Sequence, residues 1–350
     1  MKDEAQSKEI ERAFGAESRR QMLEEYAATA ESVTSANAWK HAYRLLLWID
    51  KTTSLAHCYE SDKAQPGRPW YERSLAFHAW VSTALGTTPA GLGGQIDWLF
   101  GRGTERLAAI VAEQQAERAL IAVDQRTHYK GFPEPGEDPG LEELIREELG
   151  GWLSSPPPPD AMRRLTQRIR DYLARENKRK NLVGEGFEDV LGFLIRRLPG
   201  ASKLKVSERP VLHSLPGFRT PPAGEKQRKV DLAVIGPQDR RILVSAKWSV
   251  RADREEQFLV DFEAYARLDE AGHDFSFVLV TNEFDAARLC AACKRRRANG
   301  ELFTSVVHVN PKGPLAAYAS GGGKSARQLV KYIESGRLTS LEAWLASLVS

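Results

Sequence analysis

The chain has 350 residues, 42% of them hydrophobic and 28% charged, which is enough apolar material for a sizeable core and for two domains. Its 50 Lys and Arg against 47 Asp and Glu leave a net charge of +3, so total charge predicts no polyanion partner and any basic surface must come from local clustering. Three unevenly spaced cysteines make no disulfide framework and point to a reducing cytoplasm. The N-terminal MKDEAQSKEIERAFG lacks the apolar run of a signal peptide, and no stretch reaches the about 18 apolar residues that cross a membrane.

Residues 1–130 read as helical. Ser18–Ala36 mixes Leu, Tyr and Ala with Arg and Glu at helical spacing. Ala38–His57 follows, with Trp39, Ala42, Leu45, Leu46, Trp48 and Ile49 on one broad face. Gln65-Pro66-Gly67-Arg68-Pro69 breaks the pattern, and Tyr71–Leu85 and Ile96–Asp124 resume it. The stretch 131–160 is the expected domain boundary. It opens on Gly131-Phe132-Pro133, closes on four consecutive prolines, Pro156 to Pro159, and leaves room for a short helix over Leu141–Leu153. Asp160 is expected to cap a basic helix running to about Arg179 and carrying Arg163, Arg164, Arg168, Arg170 and Arg175. Such a stripe is an ordinary solvated face or a phosphate-facing one.

In Gly184–Leu194, Phe187, Val190, Leu191 and Leu194 share a helix face, with Glu188 one residue off it. Residues 207–228 read as a loop or a ragged strand. Val230–Ile235 and Ile242–Ala246 are apolar runs of strand length around a polar turn, Gly236–Arg241. Arg254–Leu268 reads as a helix, Phe275–Val280 as a strand buried on both faces, Glu283–Arg297 as a helix and Leu302–Val309 as a strand. Ser325–Leu338 and Leu341–Val349 close the chain as helices. The expectation is an α/β protein: an all-α N-terminal domain over residues 1–155 and, over 156–350, a small mixed sheet flanked by helices.

The chemistry concentrates in KVDLAVIGPQDRRILVSAKWSVRADREEQFLVD, residues 229–261. Asp231 and Lys247 lie 16 residues apart, and two antiparallel strands joined by a short turn bring such positions together. An acid and a lysine so placed suit metal-dependent phosphodiester hydrolysis. The carboxylate holds a hard cation, and the lysine orients the attacking water and offsets developing charge. In Arg251-Ala252-Asp253-Arg254, each arginine suits the O6 and N7 edge of guanine, and Asp253 can accept from the cytosine amine.

An Asp before one strand and X-Ala-Lys at the end of the next resembles the catalytic hairpin of the PD-(D/E)XK nuclease fold. Ser245 stands where that motif has an acid. The substitution resembles one branch of the fold, the type II restriction endonucleases that recognise CCGG and related sequences. These carry Ser-x-Lys and take the missing acid from the following helix. Lys247-Trp248-Ser249-Val250-Arg251-Ala252-Asp253-Arg254 looks like that family's Lys-Trp-Ser/Thr-x-Arg-x-Asp-Arg block. Asp261, 14 residues after Lys247, falls where the relocated acid is expected, although the family more often has Glu there. Glu263 is the alternative, about 200° around the helix. The resemblance covers roughly residues 184–261. It implies that Asp231 and Asp261 hold Mg²⁺ and that Lys247 assists water. It also implies that Glu188 supports the site, with Glu185 as competitor, and that Arg251, Asp253 and Arg254 contact the CCGG bases. A palindromic site then calls for a homodimer, or a tetramer. The alternatives are a repair or junction nuclease of the same fold and a DNA-binding protein that has lost catalysis.

Other motifs carry less. Cys290-Ala-Ala-Cys293 is a single pair with no second half. Arg68-Pro69-Trp70-Tyr71-Glu72-Arg73 is read as a packed loop. Gly321-Gly322-Gly323-Lys324-Ser325 lacks the upstream glycine of a P-loop, so no nucleotide cofactor is expected.

Overall fold

The computed structural model describes residues 9–57, 63–121, 139–150, 155, 157–250, 255–270, 272, 274–319, 321 and 323–350. They fall into two compact units, Met1–Phe14 with Thr104–Leu182, and Gly15–Gly103 with Val183–Ser350. This division differs from the expected boundary after residue 155. The helices of residues 15–103 share a core with the sheet: Tyr43 packs edge-on against Trp248, and Trp248 against Phe187.

The first unit is helical over most of its described residues. It holds residues 9–14 (α1), most of α5 (Trp98–Ile121), α6 (Pro139–Leu149) and the first part of α7 (Pro159–Arg196). The short helix expected over Leu141–Leu153 corresponds to α6. α7 begins on a proline, which is tolerated in a first helical turn because its missing N–H has no partner there anyway.

The second unit opens with α2 (Ala16–Thr29) and α3 (Ala38–Leu46). The helix expected over Ala38–His57 stops at Leu46. Asp50 Oδ1 accepts from Thr52 N at 2.8 Å and Thr53 N at 3.3 Å, which turns the chain into a ribbon of β1 (Ile49–Asp50) and β2 (Leu55–Ala56). α4 (Pro69–Ala84) starts after the Gln65–Pro69 break, where Gly67 has φ +82°. The end of α7 follows, then β3 (Lys205–Glu208), β4 (Leu232–Ile235), β5 (Arg241–Lys247), α8 (Glu255–Leu268), β6 (Phe275–Thr281) and α9 (Ala286–Lys294). Next come a two-residue ribbon, β7 (Arg296–Arg297) with β8 (Gly300–Glu301), and β9 (Ser305–His308). α10 (Lys312–Ala317), α11 (Lys324–Glu334), β10 (Leu338–Ser340) and α12 (Leu341–Val349) complete it.

α7 is one helix where two were expected. Gly184 and Gly186 cost a helix about 1 kcal/mol each. The fully buried Phe187, Val190, Leu191 and Leu194 stabilise it by about 1.5–3 kcal/mol apiece, which outweighs the glycines.

The sheet has six strands in the order β10-β9-β6-β5-β4-β3. β3, β4 and β5 pair antiparallel; β5 with β6, β6 with β9 and β9 with β10 pair parallel. The turn from β4 to β5 puts Gln238 and Asp239 in left-handed conformation, φ +58° and +56°. The parallel steps from β5 to β6 and from β6 to β9 cross over through α8 and α9, and the step from β9 to β10 through α10 and α11. One sheet face, with Ala233, Leu243, Phe277 and Leu279, shares a core with Phe258, Phe262 and Tyr265 of α8 and Leu289 of α9. Residues of the other parity, Leu232, Val244, Val278 and Val280, are equally buried on the opposite face. The architecture is therefore α/β, a mixed six-stranded sheet flanked by helices. Among the described residues no helix is long and apolar enough to cross a membrane.

Candidate active site

Asp231 stands one residue before β4, and Lys247 is the last residue of β5. The register pairs Leu232 with Val244, so one further step sets Asp231 across from Ser245 and brings Lys247 into reach. The hydrogen bonds to the Asp231 carboxylate all fall on Oδ2: Lys247 Nζ donates at 2.6 Å, Ala246 N at 2.9 Å and Ser245 Oγ at 3.4 Å. Among the described residues, Oδ1 of Asp231 has no hydrogen-bond partner. Both side chains remain open to solvent, Asp231 at 25% and Lys247 at 35%.

Glu188 approaches from α7. Burial, with the negative charge of Asp231, pushes its carboxyl up to about 7 against the opposing pull of Arg209 and Lys247. Its Oε2 accepts from Arg209 Nη1 at 2.8 Å. Asp261 comes from α8. Burial raises its pKa, the charge of Asp231 adds to the rise, and Gln257, Arg228 and Lys247 oppose it. Its Oδ1 accepts from Gln257 Nε2 at 2.7 Å and lies 3.8 Å from Arg228 Nη1. Glu188 and Asp261 are thus each brought within electrostatic reach of Asp231 and Lys247. Glu263 is exposed, two residues further round α8. Glu185 has a side chain 56% exposed, and its carboxylate pairs with the buried Arg19 at 2.9 Å.

Arg251, Asp253 and Arg254, expected to read bases, lie outside the described residues. The stretch Arg68–Arg73, expected as a packed loop, instead opens α4, whose first helical residue is Pro69, while the cysteine pair keeps its plain reading. Cys290 and Cys293 are buried free thiols, and burial raises both, Cys293 to about 12. Arg73 stacks 4.2 Å over the Tyr318 ring and donates to its hydroxyl at 2.9 Å.

Arg209 is the residue that sequence reasoning missed. It follows β3 with φ +53°, a left-handed backbone that a non-glycine residue adopts at a cost. Its N–H donates to Asp231 O at 2.9 Å, while its guanidinium forks to Glu188 and Asp189. The backbone of Asp231 and the carboxylate of Glu188 are thereby tied to one side chain. Arg228, beside Asp261, was missed as well. Both sit in the Pro- and Gly-rich stretch 207–228, where no periodicity marks a facing residue.

The donor chemistry suits a hard divalent cation. Asp231, Glu188 and Asp261 each commit one carboxylate oxygen to a cation or amide. Among the described residues, the other oxygen of each has no hydrogen-bond partner. No three His, Cys, Asp or Glu side chains among the described residues form a ready-made metal cluster. Mg²⁺ is commonly held by one or two carboxylates, with water and substrate phosphate completing the shell, so a pair of acids is a sufficient protein share. No family model matches the sequence, and no curated protein matches it either.

Proposed function

We propose that this chain is a Mg²⁺-dependent type II restriction endonuclease of the PD-(D/E)XK kind. Its substrate is duplex DNA with a CCGG-containing or related C·G-rich palindromic site, cut by a homodimer. The observation that carries this reading is the 2.6 Å contact between Lys247 and Asp231 at the ends of neighbouring antiparallel strands, with Glu188 and Asp261 coupled to them. Asp231 and Asp261 would hold the cation, which when bound polarises the scissile phosphate and acidifies water. Lys247 orients the attacking water and offsets negative charge on the phosphate. Glu188, supported by Arg209, holds the negative charge of the site from α7. Ser245, on the strand where the usual second acid would stand, brings no carboxylate, so Asp261 takes that place. Arg251, Asp253 and Arg254 carry the chemistry to read a C·G-rich core.

Digestion of plasmid DNA with Mg²⁺ and sequencing of the product ends tests this. Discrete fragments with one palindromic sequence at their ends are expected. Structure-specific nicks or smears would instead favour a repair or junction nuclease, and retained DNA binding without cleavage would favour a non-catalytic DNA-binding protein.

A further inference from the structure

The cations that stand beside the acids of the site are not equivalent. Lys247 Nζ donates to Asp231 Oδ2 at 2.6 Å, and Arg209 Nη1 donates to Glu188 Oε2 at 2.8 Å. Arg228 Nη1 stands 3.8 Å from Asp261 Oδ1, beyond hydrogen-bond reach. That oxygen already accepts from Gln257 Nε2 at 2.7 Å. Among the described residues nothing accepts a hydrogen bond from the Arg228 guanidinium, and its side chain is 37% exposed.

Other arginines on or against the same connection are committed. Arg219 Nη2 donates to Arg267 O at 3.0 Å, Arg267 Nη1 donates to Glu225 Oε1 at 2.8 Å, and Arg241 Nη1 donates to Asp269 Oδ1 at 2.6 Å. The backbone of Arg228, by contrast with its side chain, is tied down. Arg228 O accepts from Leu212 N at 2.8 Å, Lys229 O accepts from Tyr265 Oη at 3.1 Å, and Val230 N donates to Pro210 O at 3.1 Å. The residue is therefore fixed just before Asp231 while the donors of its guanidinium stay open. Such an arginine presents a planar fork that matches two oxygens of a phosphate, and it gives up no internal hydrogen bond on binding one.

We propose that Arg228 binds a backbone phosphate of the substrate DNA through a bidentate contact beside Asp261. The carboxylate keeps the guanidinium at the site in the free protein, and the phosphodiester supplies the acceptors that the carboxylate does not. The identity of the substrate rests on the nuclease reading; the open guanidinium beside Asp261 does not. The contact carries no sequence information, because phosphate contacts position the duplex and leave the choice of bases to other groups.

Binding of a random-sequence duplex, measured in Ca²⁺ over about 50–200 mM salt, tests this. Arg228→Gln is expected to bind about tenfold more weakly, the worth of one charge-assisted hydrogen bond. It should also make the slope of log K against log salt shallower by about 0.9. Arg228→Lys keeps the charge and loses the fork, so its slope is retained while its affinity falls. Lys331→Gln, exposed on α11, removes the same charge elsewhere and should leave the slope unchanged. In Mg²⁺, Arg228→Gln should raise KM by the same factor on every target sequence. An unchanged slope in Arg228→Gln overturns the inference, and so does an equal change in Lys331→Gln. If the Gln variant fails to fold, Arg228→Lys decides, since full wild-type affinity there rules out a bidentate contact. A wild type that binds duplex but cuts none sinks the nuclease reading, while the slope still decides the phosphate contact. A wild type that binds no duplex overturns both.

Discussion

Glu188 makes the acid cluster testable without any substrate. Its ordinary value is 4.5, and in the folded protein it stands at about 7 because it is buried beside Asp231. A folded value above the unfolded one means that the folded protein binds the proton more tightly. The resulting stability is complete below pH 4.5 and is lost as pH rises through about 7. At 1.36 kcal/mol per pH unit, the loss amounts to about 3 kcal/mol. For a chain of this size that is on the order of 10 °C in Tm. The assay is thermal unfolding from pH 5 to pH 8 in chelator, comparing wild type with Glu188→Gln, which cannot ionise. Asp261 is also raised and His308 is lowered to about 4, but both titrate alike in the two proteins and cancel in the difference. Wild type should lose stability relative to the variant across this range. Saturating Mg²⁺ at about 100 times its Kd should return about 2.7 kcal/mol at pH 8. Parallel curves for the two proteins in chelator would refute the reasoning.

Lys247→Ala should lower cleavage by about 10²–10⁴-fold, the range of a lost proton-transfer partner, with DNA retention in a gel-shift assay little changed. Undiminished cleavage would remove Lys247 from the chemistry. Asp261→Asn should abolish the Mg²⁺-dependent rise in Tm together with cleavage, whereas Glu263→Gln, on the exposed side of α8, should alter stability by no more than about 0.5 kcal/mol and leave the rate intact. The opposite pattern would assign the relocated acid to Glu263. In α10, a Cβ at Gly313 would lie 2.8 Å from Phe284 Cε1 and 3.2 Å from Trp80 Cζ3. Gly313→Ala should therefore cost about 1–3 kcal/mol by overpacking, read as a lower Tm, and an unchanged Tm would mean that the rings move aside freely.

What was legible in the sequence follows the physics of each signal. β6 and the two strands around Gly236–Arg241 are apolar runs bounded by turn residues, and α12 runs over Leu341–Val349 as its pattern indicates. The approach of Asp231 and Lys247 was readable because a short turn leaves an antiparallel pair little choice of register. Asp50 was not readable as a turn-maker inside an apolar helical pattern, because only the folded chain puts its carboxylate under Thr52 N and Thr53 N. Nor could the glycines of α7 be discounted as breakers until the burial of Phe187 and Leu191 was known. Arg209 carried no local signal at all: its contacts, to Asp231 O and to Glu188, are 22 and 21 residues away in the chain.

The arrangement of cations explains how three acids coexist near neutral pH. Carboxylates crowded together cannot all ionise unless positive charge is close. Asp231 has Lys247 at 2.6 Å, Asp261 has Arg228 at 3.8 Å and Glu188 has Arg209 at 2.8 Å. Arg209 is shared with Asp189, which the buried Arg19 holds in place from the other side. Glu188 is nevertheless the acid driven to about 7, because burial and the charge of Asp231 outweigh the pull of Arg209 and Lys247. A divalent cation held by Asp231 and Asp261 would offset the charge of Asp231 that raises Glu188, and it would compete with Lys247 for that charge. Relief of the first and release of the second are both steps toward a lysine free to face a phosphate. On the proposed nuclease reading, the ion pair between Asp231 and Lys247 is thus also the contact that catalysis would have to loosen.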